Sequence, residues 1–180
     1  YFFYFEFSNV PLMERVWVSL FQSVTPRTAG FNTADLTLLS EVGQMLIIIL
    51  MLIGGSPGST AGGMKTTTLA VLVSSALSVF RKKEHTHFFG RRIPDDTIKN
   101  AATIFLMYIV LFLVGGMVIS STEDIPLMTA LFETASAIGT VGLSLGITPD
   151  LGLVSHIILI CLMFLGRVGG LTLIFATLSE

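Results

Sequence analysis

Thr28-Ala29-Gly30-Phe31 and Thr140-Val141-Gly142-Leu143 are two versions of one segment. Gly30 and Gly142 lie 112 positions apart, as do Gly54 and Gly166, which end the apolar runs Ile47 to Ile53 and Ile157 to Leu165. Each unit reads as a short amphipathic helix, a glycine-centred extended segment and a long apolar helix interrupted by glycines. Val16 to Val24 and Leu127 to Ile138 are the short helices; neither reaches the roughly 20 residues a spanning helix needs. Leu20-Phe21 and Leu131-Phe132 correspond, one residue off the register. A re-entrant helix, a glycine loop and a spanning helix make the ground plan of a cation pore.

Composition sets the medium. The 180 residues are 52% hydrophobic and 12% charged, with a mean hydropathy of +0.83. Soluble domains carry about 25% charged residues, so the chain reads as an all-α membrane protein. A net charge of −2 excludes nucleic-acid binding driven by bulk positive charge. The one cysteine, Cys161, lies in an apolar run, which excludes a disulfide framework or thiolate metal cluster. The chain opens inside an aromatic run, Tyr1 to Phe5, without an initiator Met. It therefore reads as an excerpt of a longer protein, starting in the tail of a spanning helix.

Ala101 to Ile119 is uncharged and long enough to span, and Leu151 to Phe175 is a second candidate. Gln44 to Ile53 is apolar but stops at Gly54-Gly55-Ser56-Pro57-Gly58-Ser59-Thr60-Ala61-Gly62-Gly63, and apolar character returns from Thr66 to Phe80. This is one long helix broken at membrane depth. Broken backbone at that depth must be buried in protein or line a watery cavity, so the loop belongs where a pathway runs. Its spacing superficially matches a phosphate loop, but Met64 separates Gly63 from Lys65 and the preceding run is helical; a movable plug fits better.

Arg81-Lys82-Lys83 and Arg91-Arg92 make the 81–92 loop basic, hence cytoplasmic. Asp35, Glu41, Glu123, Asp124 and Asp150 then fall on the outer side with both glycine segments. His85 and His87, without a carboxylate cluster, do not make a metal site; the loop is a docking surface. His156 reads as a packed or solvated imidazole. A filter replaces an ion's water by backbone carbonyls, and glycine admits the φ > 0 that turns them inward. The filter set is Thr28, Ala29, Gly30, Phe31, Thr140, Val141, Gly142 and Leu143, with potassium held at Thr28, Ala29, Thr140 and Val141. Two segments supply half a ring. Arg167 sits at membrane depth, opposite Gly55 in the repeat register. It reads either as a pore cation that limits occupancy and anchors the plug's carbonyls or as half of a structural ion pair; Lys65 invites the same two readings. Glu133 and Gln22 either brace the filter segments or only pack.

Three stretches carry a family resemblance: Ser23 to Thr33, Gly58 to Thr68 and Gly166-Arg167-Val168-Gly169. Together they resemble the Trk/Ktr/HKT potassium-transporter superfamily, and within it the membrane subunit of bacterial Ktr systems. The resemblance covers essentially the whole chain. It implies four helix–pore-helix–helix repeats with pseudo-fourfold symmetry, of which this chain holds two. Residues 1–80 would be the third repeat, short of most of its first helix; 81–97 a cytoplasmic basic loop; 98–180 the fourth repeat. The family's filter glycines map onto Gly30 and Gly142, its gating loop onto Gly54 to Lys65 (residues 54–65), and its pore arginine onto Arg167. It also implies a homodimer in the plasma membrane, surrounded by lipid and docked on a cytoplasmic ring of nucleotide-binding regulatory subunits. The substrate is potassium and there is no bound cofactor. In the family, serine at the first repeat's filter glycine favours sodium, so a sodium-permeable or sodium-coupled member is the alternative. A secondary transporter with broken helices commonly has inverted units, whereas these are parallel. An intramembrane hydrolase needs an acid, His or Ser constellation that the chain lacks. The expected activity is therefore transport, not catalysis.

Overall fold

In the computed structural model, residues 1–7, 10–59, 61–82 and 85–169 are described. Among these residues six α-helices follow in order: α1 (Leu12–Val24), α2 (Glu41–Leu52), α3 (Thr66–Phe80), α4 (Asp95–Glu123), α5 (Leu127–Ile138) and α6 (Leu153–Val168). The opening aromatic run forms a π-helical turn, Phe2–Glu6. Between α3 and α4 lies a small antiparallel hairpin of β1 (His87–Phe88) and β2 (Arg91–Arg92), which the basic composition of that stretch did not suggest. Part of the second spanning candidate, from 170 to Phe175, lies outside the described residues.

Local chemistry sets the boundaries. Ser40 caps α2, its hydroxyl accepting from the Gly43 amide. Pro11 precedes α1 and Pro126 precedes α5, where a missing N–H costs a helix nothing. Starting at Pro11 makes α1 longer than the apolar run from Val16 indicated. α4 is 29 residues, and its most apolar 18-residue stretch has a mean hydropathy of 2.5, long and apolar enough to cross a bilayer.

The packing centres on α5, which contacts α2, α4 and α6; α4 also meets α3 and α6. Phe132, Glu133, Thr134, Ala135, Ser136, Ala137 and Ile138 are all buried. The other short helix is different: Gln22 is the only buried residue of α1, and Leu12, Met13 and Trp17 are exposed. Gly166 explains how α6 closes on α5. A Cβ there would stand 2.0 Å from the Ile138 carbonyl oxygen and 2.8 Å from its carbon, so the helix passes the end of α5 at a distance only glycine permits. Gly166→Ala is expected to cost about 2–3 kcal/mol through overpacking against backbone, read as a fall in the unfolding midpoint of the detergent-purified protein. An unchanged midpoint would disprove this close approach.

Candidate functional site

The first glycine segment is folded on Thr25. After α1 the chain makes one 3-10 turn, Thr25–Arg27. The Thr28 and Gly30 amides donate to the Thr25 carbonyl at 3.2 and 3.3 Å, and the Thr25 hydroxyl donates to the Phe31 carbonyl at 2.7 Å. The second segment is folded on the end of α5 in the same manner. Thr140 N–H donates to Ala137 O at 3.0 Å and Val141 N–H to Ser136 O at 2.9 Å. The Gly142 amide donates to the Ser136 hydroxyl at 3.1 Å. Amides thus point back toward the short helix. No hydrogen bond between described residues ends on the carbonyls of Thr28, Ala29, Gly30, Thr140, Val141 or Gly142. Sequence reasoning missed Thr25 and Ser136; the signal was a hydroxyl residue five or six positions before each central glycine.

Gly30 and Gly142 both have positive φ, +60° and +90°, the region glycine enters freely. Their surroundings differ. A Cβ on Gly30 would lie 2.3 Å from the Val141 carbonyl oxygen, so the two segments touch; one on Gly142 would meet nothing within 4 Å among the described residues. Thr140 also has positive φ, +53°, which is costly for a β-branched residue. Phe31 is exposed and Leu143 is buried.

The Gly54 to Lys65 loop doubles back between α2 and α3. Ile53 bridges Met64 in parallel, Met64 N–H donates to Leu52 O at 3.1 Å, and Thr66 N–H to Gly55 O at 3.3 Å. Gly54, Gly62, Gly63 and Met64 are buried, whereas Ser56, Pro57, Gly58 and Ser59 at the tip are exposed. Thr60 lies outside the described residues. The Gly62 amide donates to the Thr140 hydroxyl at 2.9 Å, tying the loop to the second segment. The Lys65 ammonium donates to the carbonyls of Ser59 and Ala61 at 3.0 and 2.7 Å. Lys65 therefore holds loop carbonyls, one of the two roles the sequence admits for it and for Arg167.

These parts meet around one space. A cavity of about 210 Å³ is lined by Thr28, Ala29, Ser59, Ala61, Thr140 and Arg167, all of them residues singled out from sequence. A second cavity, about 250 Å³, is lined on the α3 and α4 side by Lys65, Ile104, Tyr108 and Gly166 among others. Ala61 and Arg167 line both cavities, so the loop and the arginine form the partition between them. Among the described residues no group of three or more His, Cys, Asp or Glu could hold a metal ion.

The two polar residues of the short helices have separate fates. Glu133 is buried and braces the turn after the second segment: it accepts from the Ser144 hydroxyl (2.7 Å), the Leu145 amide (3.0 Å) and the Thr148 hydroxyl (2.8 Å). Gln22 is buried with neither amide atom bonded among the described residues. On the acidic side, the Thr37 hydroxyl and amide hold the Asp35 carboxyl below its ordinary value. Glu123 accepts from the Gly152 amide and the Ser155 hydroxyl, joining the end of α4 to the start of α6. His156 Nδ1 lies 3.0 Å from Gly152 O, and His87 Nδ1 3.1 Å from His85 O.

A family model described as "TrkH: Cation transport protein" matches residues 4–179. The chain is 44% identical over 171 residues to the potassium/sodium uptake protein NtpJ of Enterococcus hirae, covering 93% of this chain and 38% of that one. It is 38% identical over 180 residues to Ktr system potassium uptake protein B of Bacillus subtilis, covering 97% and 40%. The crystal structure of the potassium transporter TrkH from Vibrio parahaemolyticus superposes with a TM-score of 0.79 at 23% identity, over 95% of this chain and 39% of that one. That likeness shows the fold. The chain spans about two fifths of the length of these proteins.

Glu133→Leu is expected to strand the buried partners it leaves, at about 1–3 kcal/mol, and to speed hydrogen exchange at the Leu145 amide. Glu133→Gln should lose much less, because the Thr148 hydroxyl can reverse and accept. Equal losses in the two variants, measured by thermal unfolding and exchange, would contradict the bracing role.

Proposed function

The chain belongs to the TrkH family of cation transport proteins, and from that premise we propose that it supplies two of four pore-lining quarters of a potassium uptake subunit. The family transports; it does not catalyse. Residues 1–80 and 98–180 are the two repeats, joined by the cytoplasmic segment 81–97. Potassium enters from the acidic side and exchanges water for the carbonyls of Thr28, Ala29, Gly30, Thr140, Val141 and Gly142. It then meets the 54–65 loop and Arg167, and moves down its electrochemical gradient when the loop withdraws. The observation that carries this reading is the cavity of about 210 Å³ whose lining draws on both glycine segments, the loop and Arg167. The C-terminal ends of α1 and α5 lead into the same space within a few residues, and a helix C-terminus carries about half a negative charge that favours a cation.

Contact between Gly30 and Val141 on one side and, among the described residues, nothing within 4 Å of a Cβ on Gly142 on the other suit neighbouring quarters of a ring whose remaining quarters come from elsewhere in a longer subunit. The exposed apolar face of α1 suits the same arrangement. That subunit is a homodimer in the plasma membrane, seated on a cytoplasmic nucleotide-binding ring. Sodium is the second cation to consider, because NtpJ is a potassium/sodium uptake protein.

Gly142 is the better filter test of the two glycines, since Gly30 has no room for a side chain. Gly142→Ser in the intact subunit, reconstituted in vesicles, should reduce potassium-over-sodium discrimination by about tenfold, a change of about 1.4 kcal/mol. Unchanged selectivity in rubidium and sodium uptake would overturn the filter assignment. Deleting residues 56–61 removes the exposed tip and the carbonyls that Lys65 holds and should raise flux several-fold; flux no greater than the parent's would remove the gating role.

A further inference from the structure

The hairpin between α3 and α4 serves neither the cavity nor the core. β1 packs on α3, the Ser78 and Thr86 hydroxyls meet at 3.0 Å in a buried contact, and Ile93 N–H donates to Thr86 O at 2.9 Å. These bonds fix the hairpin where α3 ends and α4 begins. α4 is about 43 Å long at 1.5 Å per residue, against a hydrocarbon layer of about 30 Å. Its polar first turn and the hairpin beside it therefore stand at headgroup level.

The turn itself is unusual. Phe89 and Gly90 have φ of +48° and +76°, the pair of positive values a type I′ hairpin demands, which Asn-Gly or Asp-Gly ordinarily supply. A bulky side chain in left-handed backbone is strained, and strain of this kind persists where function uses it. Phe89 is 91% exposed, so burial in the chain does not offset the strain. Phe88 stands edge-on to it with ring centroids 4.6 Å apart, and Val79 and Phe80 at the end of α3 are 72% and 84% exposed. Arg81, Lys82, Arg91 and Arg92 are exposed around these apolar groups. The 81–92 sequence carries five basic residues, with Lys83, against the single acid Glu84. Arg81 and His87 share a niche of about 120 Å³ with Ser74 and Ser78. The next acids are Asp95 and Asp96, the latter 3.8 Å from Lys99.

We propose that this hairpin is a binding site for anionic phospholipid: Phe88 and Phe89 enter the boundary between headgroups and acyl chains, while Arg81, Lys82, Arg91 and Arg92 take lipid phosphates. Aromatic rings collect at that boundary, and basic groups beside a spanning helix recruit anionic lipid. The proposal rests on the reading above that the chain crosses a bilayer with 81–92 on the cytoplasmic side.

The test uses the intact subunit in vesicles of phosphatidylcholine, with or without phosphatidylglycerol. Phe89→Trp, corrected for Trp17 with the parent protein, should be quenched by brominated phospholipid, and more strongly when the brominated lipid is anionic. Adding Arg91→Glu and Arg92→Glu should reduce that anionic preference by about fivefold or more, and high salt should weaken it. Equal quenching by neutral and anionic brominated lipid would overturn the headgroup assignment. Quenching by aqueous iodide alone would overturn the insertion. Protection from both quenchers would mean that a protein covers the tip, which also overturns the proposal. Labelling His85→Cys in a Cys161→Ser background with a membrane-impermeant thiol reagent separates the premises: access from the outer face refutes the topology, whereas inner access without lipid quenching refutes only this site.

Discussion

Peptide groups that leave helical geometry at membrane depth must find partners, and this requirement governs the middle of the molecule. Water there is scarce, and an unpaired amide or carbonyl costs several kcal/mol. The 54–65 loop meets the requirement with borrowed groups. Its stems pair through Ile53 and Met64, one amide goes to the Thr140 hydroxyl, and two carbonyls go to Lys65. The glycine segments apply the rule selectively. The amides of Thr28, Gly30, Thr140, Val141 and Gly142 go to Thr25, Ser136 and Ala137, and among the described residues no hydrogen bond ends on the segments' carbonyls from Thr28 to Gly30 and from Thr140 to Gly142. In the transport reading the partner of those carbonyls is the ion.

The two units repeat in order but not in environment. α5 is wrapped by three helices, and α6 closes on it through Gly166. Gly54 occupies the matching register position, yet its tight contact is with the Gly62 carbonyl of its own loop, 2.1 Å from where a Cβ would sit. The same glycine spacing thus serves helix-on-helix approach in one unit and loop closure in the other.

What the sequence disclosed follows from how local each signal is. Helices α3 and α5 match the runs Thr66 to Phe80 and Leu127 to Ile138, because loops and Pro126 bound them sharply. α1 begins earlier than its apolar run because polar Glu14 and Arg15 hide its first turn. The hairpin escaped notice because its strands are two residues long and its turn is Phe-Gly rather than Asn-Gly. The grouping of Thr28, Ala29 and Thr140 around one cavity was legible through the repeat, whereas Arg167, opposite Gly55 in that register, stood out as a charge in an apolar run. Lys65 was legible only as an alternative between carbonyl anchor and structural pair, because an ammonium that caps carbonyls leaves no spacing signature; its bonds to Ser59 and Ala61 decide for the anchor.

Among the described residues one bond joins the loop to the second glycine segment, from the Gly62 amide to the hydroxyl of a threonine held in left-handed backbone. In the proposed transport reading, withdrawal of the loop would leave Thr140 its torsional cost and remove a partner that helps hold it. Linkage is reciprocal: on that reading, whatever occupancy by a cation does to the backbone at Thr140 would be felt, with equal free energy, in the equilibrium between blocked and clear. Obstruction and recognition would then be one thermodynamic variable seen from two ends.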